Sequence, residues 1–221
     1  MTKRVTNRPI LLMLYGFPGA GKTYFARQFC DRIQAAHVQA DRIRYELFEK
    51  PRYDKQENDV VVQLMNYMTG EFLNAGISVA YDVNVMRLAQ RHAVRELAIQ
   101  AHAKPLLVWF QTDSESAYLR NLKRDRRRVD DKYAAAYDQT SFGNIVGHMQ
   151  NPANVEDYVV VSGKHTFNTQ YNTVIHRIRE LGLLNADDAT AVVKPGLVNL
   201  VPQPNVYQGR YDASRRNILI R

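Results

Sequence analysis

Eight residues near the start of the chain, Gly16-Phe17-Pro18-Gly19-Ala20-Gly21-Lys22-Thr23, carry the pattern G-x-x-x-x-G-K-[ST] in full. Glycines at these spacings let successive backbone N–H groups turn toward one point, and a following helix adds positive potential there, so the loop suits phosphate oxygens. Lys22 is expected to span the β- and γ-phosphates, and Thr23 to offer its hydroxyl to Mg²⁺ bridging the same phosphates. Gly16, Pro18, Gly19, Ala20, Gly21, Lys22, Thr23 and the adjoining Tyr24 form the expected nucleotide-binding set.

Two acidic positions follow. Asp41 and Arg44 sit three apart at the start of a short helical segment and share a face. In a phosphoryl transfer the carboxylate would accept the proton of an acceptor hydroxyl, while the guanidinium fixes the acceptor or its phosphate in line. A helix cap and a solvated arginine are the plainer alternative. Asp82 closes the apolar run Ile77-Ser78-Val79-Ala80-Tyr81, where it would stand beside Thr23 to hold the Mg²⁺ shell or orient the acceptor. Asn84, Arg87 and Arg91 come next, with Arg91 also able to reach the cleft or to remain a surface charge.

The third concentration of chemistry is Arg120, Lys123, Arg124, Arg126, Arg127 and Arg128. Arginines over a nucleotide can meet charge developing on the transferring phosphoryl or stack on the base. Arg124 and Arg128, four apart, would share a helical face with Arg120. A solvated face or a nucleic-acid patch is the competing reading, and Asp130 and Asp131 would screen the run. Ser162-Gly163-Lys164-His165 are placed to lie under the base.

The elements that must hold these residues alternate in type. Strands are expected at 10–15, 37–40, 77–81, 106–110 and 158–161, short and mostly apolar, as strands covered on both faces should be. Helices are expected at 23–35, 60–73, 88–101, 115–128, 134–149 and 171–181, the fourth capped by Asp113 or Ser114. This is the βαβ pattern of an α/β domain built on a parallel sheet, with ligands outside the carboxyl ends of the strands. Prolines and glycines interrupt every apolar run after Leu184, so a domain over 1–184 is followed by a basic, proline-containing tail over 185–221; the segment near 120–150 lies where small kinases carry a lid over the nucleotide.

Composition narrows the setting. With 221 residues, 45% hydrophobic, the chain can bury a real core. The single cysteine, Cys30, excludes an internal disulfide framework, and no Cys and His spacing suggests structural zinc. The basic start before Ile10 imitates a secretory signal, but its apolar run ends inside the phosphate motif, and no later run is long enough for a membrane span. A cytoplasmic protein with no membrane partner is expected. The net charge of +8 favours anionic partners in general.

Taken in order, Gly16-x4-Gly21-Lys22-Thr23, Asp41-x-x-Arg44, Asp82 closing a third strand and the Arg120–Arg128 segment resemble the AAA-type predicted P-loop kinases. That group includes polynucleotide 5′-kinase, zeta toxin and chloramphenicol phosphotransferase, and the likeness runs from Ile10 to Leu181. It implies a three-layer αβα sandwich whose five-stranded parallel sheet is ordered 2-3-1-4-5, with ATP as donor. It also implies Asp41 as general base, Arg44 as acceptor clamp and a lid arginine, Arg124 or Arg128, at the transition state. Members usually follow the strand-3 Asp with Thr-Asn or Gly, whereas Val83-Asn84-Val85 stand here.

The leading expectation is an ATP-dependent kinase acting on a hydroxyl of a small molecule or a nucleic acid 5′ end. The alternative is a nucleotide-binding switch or assembly module without acceptor turnover. A hydrolytic motor is disfavoured because no strand ends in the Asp-Glu pair that would polarise water.

Overall fold

The computed structural model describes residues 3–125, 127–129 and 131–184, so the expected tail, Arg126 and Asp130 lie outside the described residues. Strands β1 (Ile10–Gly16), β2 (Ala35–Gln39), β3 (Ser78–Asn84), β4 (Lys104–Gln111) and β5 (Tyr158–Ser162) form one sheet in the order β2-β3-β1-β4-β5. Every pairing is parallel. This is the order implied by the resemblance.

Side chains along β1 divide by the two-residue period of a strand. Ile10, Leu12 and Leu14 face one core with Phe25 and Phe29 of α1 (Lys22–Arg32). Leu11, Met13 and Tyr15 face the other with Val61, Met65 and Leu73. These last belong to α3 (Lys55–Asn74), while α2 (Ala40–Leu47) occupies the β2–α3 connection. Helix α4 (Leu88–Gln100) adds Val94 and Ala98 to the second core, and α7 (Phe167–Glu180) adds Val174, Ile175 and Ile178 to the first. A sheet buried on both faces explains why its strands are nearly continuous apolar runs.

Two elements differ from the sequence expectation. Helix α5 (Ser114–Leu122), capped by the Asp113 carboxylate accepting from Ser116 N at 2.7 Å, ends at Leu122 and not at Arg128. The described residues among 123–138 lie outside any helix, and α6 (Gln139–Gly147) follows, capped in the same way by Asp138. Arg124 and Arg128 are thus not neighbours on one helix face. Strand β3 also continues two residues beyond Asp82, because the ladder with β1 extends through Leu14 opposite Asn84. Among the described residues no helix is long and apolar enough to cross a membrane.

Candidate active site

The carboxyl edge of the sheet gathers the chemistry. Between β1 and α1 the backbone turns sharply, with Gly19 at φ 88°, a left-handed value that favours glycine. A Cβ on Gly19 would lie 2.2 Å from the Ala117 carbonyl oxygen, so helix α5 packs directly on the loop. Phe142 of α6 meets both Phe17 and Tyr118, at ring separations of 6.4 and 5.2 Å, and fastens the second helix there as well.

Inside this turn Lys22 Nζ donates to Gly16 O at 2.7 Å and to Phe17 O at 2.9 Å. Burial pushes the ammonium down to about 7, against the pull of the Asp82 carboxylate, and Arg124 lowers it further. A phosphate arriving at the loop would supply the counter-charge that this lysine lacks. Thr23 Oγ1 donates to Asp82 Oδ1 at 3.2 Å, which unites the first and third motifs. The other oxygen of Asp82 is 2.9 Å from His37 Nε2 on β2. Hydroxyl and carboxylate are hard oxygen donors and fit Mg²⁺. Among the described residues no three His, Cys, Asp or Glu side chains gather to hold a metal alone, so a cation here would complete its shell with phosphate oxygens and water.

Asp41 stands in the first turn of α2, two residues past Gln39, which pairs in register with Asp82. Burial and then the nearby Asp82 push its carboxyl up to about 6, while Arg124, Arg44 and Lys22 pull the other way. Asp41 and the phosphate loop face one cleft of about 650 Å³. Arg44, Asp82, Asn84, Arg120, Lys123, Arg124 and Arg128 line the same cleft, so the residues expected from sequence are brought together.

Their states vary. The Arg44 guanidinium, expected to be open to an acceptor, is 5% exposed and pairs with Glu57 at 3.1 Å. Arg124 donates from Nη1 to the Ala135 carbonyl, which ties it to the residues just before α6. Arg128 is exposed at the cleft wall. Arg120 Nη1 donates to Gly163 O at 2.7 Å, and Lys164 pairs with Asp113 at 2.6 Å, closing the β5–α7 loop onto α5. Arg91 does not reach the cleft. It is 1% exposed, bidentate to Glu156 at 2.6 and 3.0 Å, and donates to Gln150 O, because only a full set of acceptors offsets the burial of its charge.

Sequence reasoning missed His37, Tyr53, Glu57, Asn58 and Tyr137. A histidine inside the apolar strand Ala35–Gln39 was a readable signal. Asp54-x-x-Glu57 has the form of a helix start, and its first member does accept from Glu57 N at 2.9 Å, but nothing in it announces a buried glutamate. A second cavity of about 490 Å³ backs onto Gly16 and Phe17 on the Tyr15 and Trp109 side of the sheet.

A family model described as an AAA domain matches residues 11–140, more than half of the chain. Among solved structures, the APS kinase of Mycobacterium tuberculosis in complex with AMPPNP and APS is 16% identical. It aligns with a TM-score of 0.59 over 78% of this chain and 98% of its own. A gluconokinase from Sinorhizobium meliloti is 12% identical, with a TM-score of 0.56 over 79% of this chain and 93% of its own. Kti12 of Chaetomium thermophilum, in complex with ADP-AlF3, is 16% identical, with a TM-score of 0.57 over 80% of this chain and 100% of its own. No curated protein matches the sequence. At these identities the structural likeness is one of fold, and with the sequence match over 11–140 it shows that the chain belongs to the AAA domain family and has the fold of P-loop kinases.

Proposed function

We propose that this protein is an ATP-dependent kinase that transfers the γ-phosphoryl group to a hydroxyl, within a domain spanning 1–184 and in the cytoplasm. One observation carries the reading: a phosphate loop with its Thr23–Asp82 contact and a recessed carboxylate, Asp41, face each other across a single cleft. A switch module would need the first half of that arrangement and not the second.

In this reading Gly16, Pro18, Gly19, Ala20, Gly21 and Tyr24 shape the donor site, and Lys22 leaves the Gly16 and Phe17 carbonyls to contact the β- and γ-phosphates. Thr23 and Asp82 would hold Mg²⁺, whose charge neutralises that building on the phosphoryl oxygens during transfer. Asp41 takes the acceptor's hydroxyl proton. A carboxyl near 6 suits that task, since it is ionised at neutral pH yet more basic than an ordinary carboxylate. The 120–150 segment serves as the lid. Arg124, already oriented by Ala135, and Arg128 face the transferring group from it.

Incubating the protein with Mg²⁺ and γ-labelled ATP against 5′-hydroxyl oligonucleotides, nucleosides, sugars and amino alcohols tests this. Label on one acceptor class, lost with Lys22→Ala and with Asp41→Asn, supports it. Lys22-dependent ATP binding with no labelled acceptor contradicts it and supports the switch.

A further inference from the structure

Resting on that kinase reading, we infer that the acceptor half of the cleft takes a neutral or amine-bearing ring alcohol and rejects acceptors with an anionic group beside the reacting hydroxyl. The controlling feature is that Arg44 is already neutralised. Its Nη1 donates to Glu57 Oε2 at 3.1 Å and its Nη2 to Asn58 Oδ1 at 2.5 Å, while the ring of Tyr53 lies 4.6 Å from the guanidinium carbon.

Glu57 is not free to leave. It is 2% exposed, and its carboxylate also accepts the backbone N–H groups of Arg52 and Tyr53, each at 2.8 Å. Tyr53 holds φ at 59°, a left-handed value unfavourable for a non-glycine residue, and the bond from its N–H to Glu57 keeps it there. Withdrawing the carboxylate from Arg44 would undo this turn and strand a buried charge. An anion brought to Arg44 would therefore meet a fixed negative charge as well as a positive one.

The surroundings add to this bias. Asp41 and Asp131 contribute two further carboxylates to the cleft. Of the cations that line the cleft with Arg44, namely Lys22, Arg120, Lys123, Arg124 and Arg128, Arg124 acts on both Lys22 and Asp41, so a bound triphosphate would neutralise it from the Lys22 side. Tyr53 and Tyr137 stand near Asp41: burial, then its charge, pushes both phenols up. Val83, Met86, Ala134 and Ile145 line the same cleft. Aromatic and apolar walls with carboxylates nearby suit rings and ammonium groups.

The test reads charge preference with and without turnover. With the donor site filled by AMPPNP and Mg²⁺, inorganic sulfate is titrated by calorimetry. The expected result is that Glu57→Gln binds sulfate at least tenfold more tightly than wild type, and that Arg44→Gln/Glu57→Gln loses the gain. Unchanged AMPPNP affinity and a single cooperative thermal unfolding transition, even at a lower temperature, show that the variants fold. Wild type binding sulfate as tightly as Glu57→Gln, in an Arg44-dependent way, overturns the inference. Should Glu57→Gln not fold, wild type decides alone on matched pairs of a ring alcohol and its monophosphate: label transfer at least tenfold faster to the free alcohol agrees, and faster transfer to the phosphorylated member overturns it. Absence of label from both members of every pair overturns the kinase reading and this one with it, whereas sulfate binding separates failure of the charge argument alone.

Discussion

Thr23 Oγ1 donates to Asp82 Oδ1 at 3.2 Å, and the second oxygen of that carboxylate lies 2.9 Å from His37 Nε2. Asp82 is thus held from both sides before any ligand arrives, and a partner that orients a metal-binding carboxylate typically affects affinity by 10- to 100-fold. His37→Ala is expected to raise the Mg²⁺ concentration for half-maximal stimulation about tenfold, with nucleotide affinity in EDTA unchanged. Titrating Mg²⁺ against fluorescent-nucleotide binding measures this, and an unaltered Mg²⁺ curve would show that the histidine positions nothing.

Asp41, the proposed base, also bears on stability. Its carboxyl is raised to about 6, so the folded state favours the neutral form. For a raised group, the stability associated with its proton is present below the unfolded value and is lost as pH rises through the folded one. Between about pH 4 and 6 the wild type therefore loses on the order of 1–3 kcal/mol, and Asp41→Asn does not. The variant should unfold several degrees higher than wild type at pH 8 and at the same temperature near pH 4. Equal unfolding temperatures at pH 8 would mean that the carboxylate is not strained.

Transfer should show the same group with the opposite consequence. As the base must be ionised, kcat/KM is expected to rise with unit slope as pH approaches about 6 and then level. A profile flat from pH 5 to 7 would remove Asp41 from the proton transfer.

Two glycines make a contrasting pair. A Cβ on Gly163 would lie 2.0 Å from Thr112 Oγ1 and 2.8 Å from Ala20 O, whereas one on Gly143, within α6, meets nothing within 4 Å. Gly163→Ala should push the β5–α7 loop off the phosphate loop and weaken nucleotide binding about tenfold or more. Gly143→Ala should leave binding alone and stabilise the protein by about 0.5–1 kcal/mol. Nucleotide titrations and thermal unfolding of both variants check this, and equal affinities would show that the loop absorbs the methyl group.

Arg91→Ala should cost about 3–5 kcal/mol by leaving Glu156 without its partner in a largely buried setting. Chemical denaturation measures the loss, and a change below about 1 kcal/mol would mean that water replaces the guanidinium.

The legible parts of this molecule were those governed by local rules. Strand β1 running into a glycine loop and helix, and the apolar run that ends near Asp82, follow from side-chain period and turn chemistry, and they fix the sheet order once the family pattern is added. What escaped depended on partners far along the chain or on where a helix stops. The run from Arg120 to Arg128 is rich in good helix formers, yet α5 ends at Leu122, where Asn121 turns inward to donate to Tyr137 O at 2.9 Å. Arg44, read as an acceptor clamp or a solvated charge, and Arg91, read as a cleft or surface charge, are both buried in pairs the sequence does not display, because Glu57 lies across a turn containing a left-handed tyrosine and Glu156 lies beyond β4, α5 and α6. Burial of paired charges leaves no mark in hydrophobic periodicity.

Whether this cleft passes a phosphoryl group to a hydroxyl with Asp41 as base is decided by single-turnover transfer from γ-labelled ATP in wild type and Asp41→Asn. With Asp41 as base, the variant binds Mg²⁺ and ATP within about threefold of wild type and transfers label at least a hundredfold more slowly. Transfer by Asp41→Asn at the wild-type rate would contradict it.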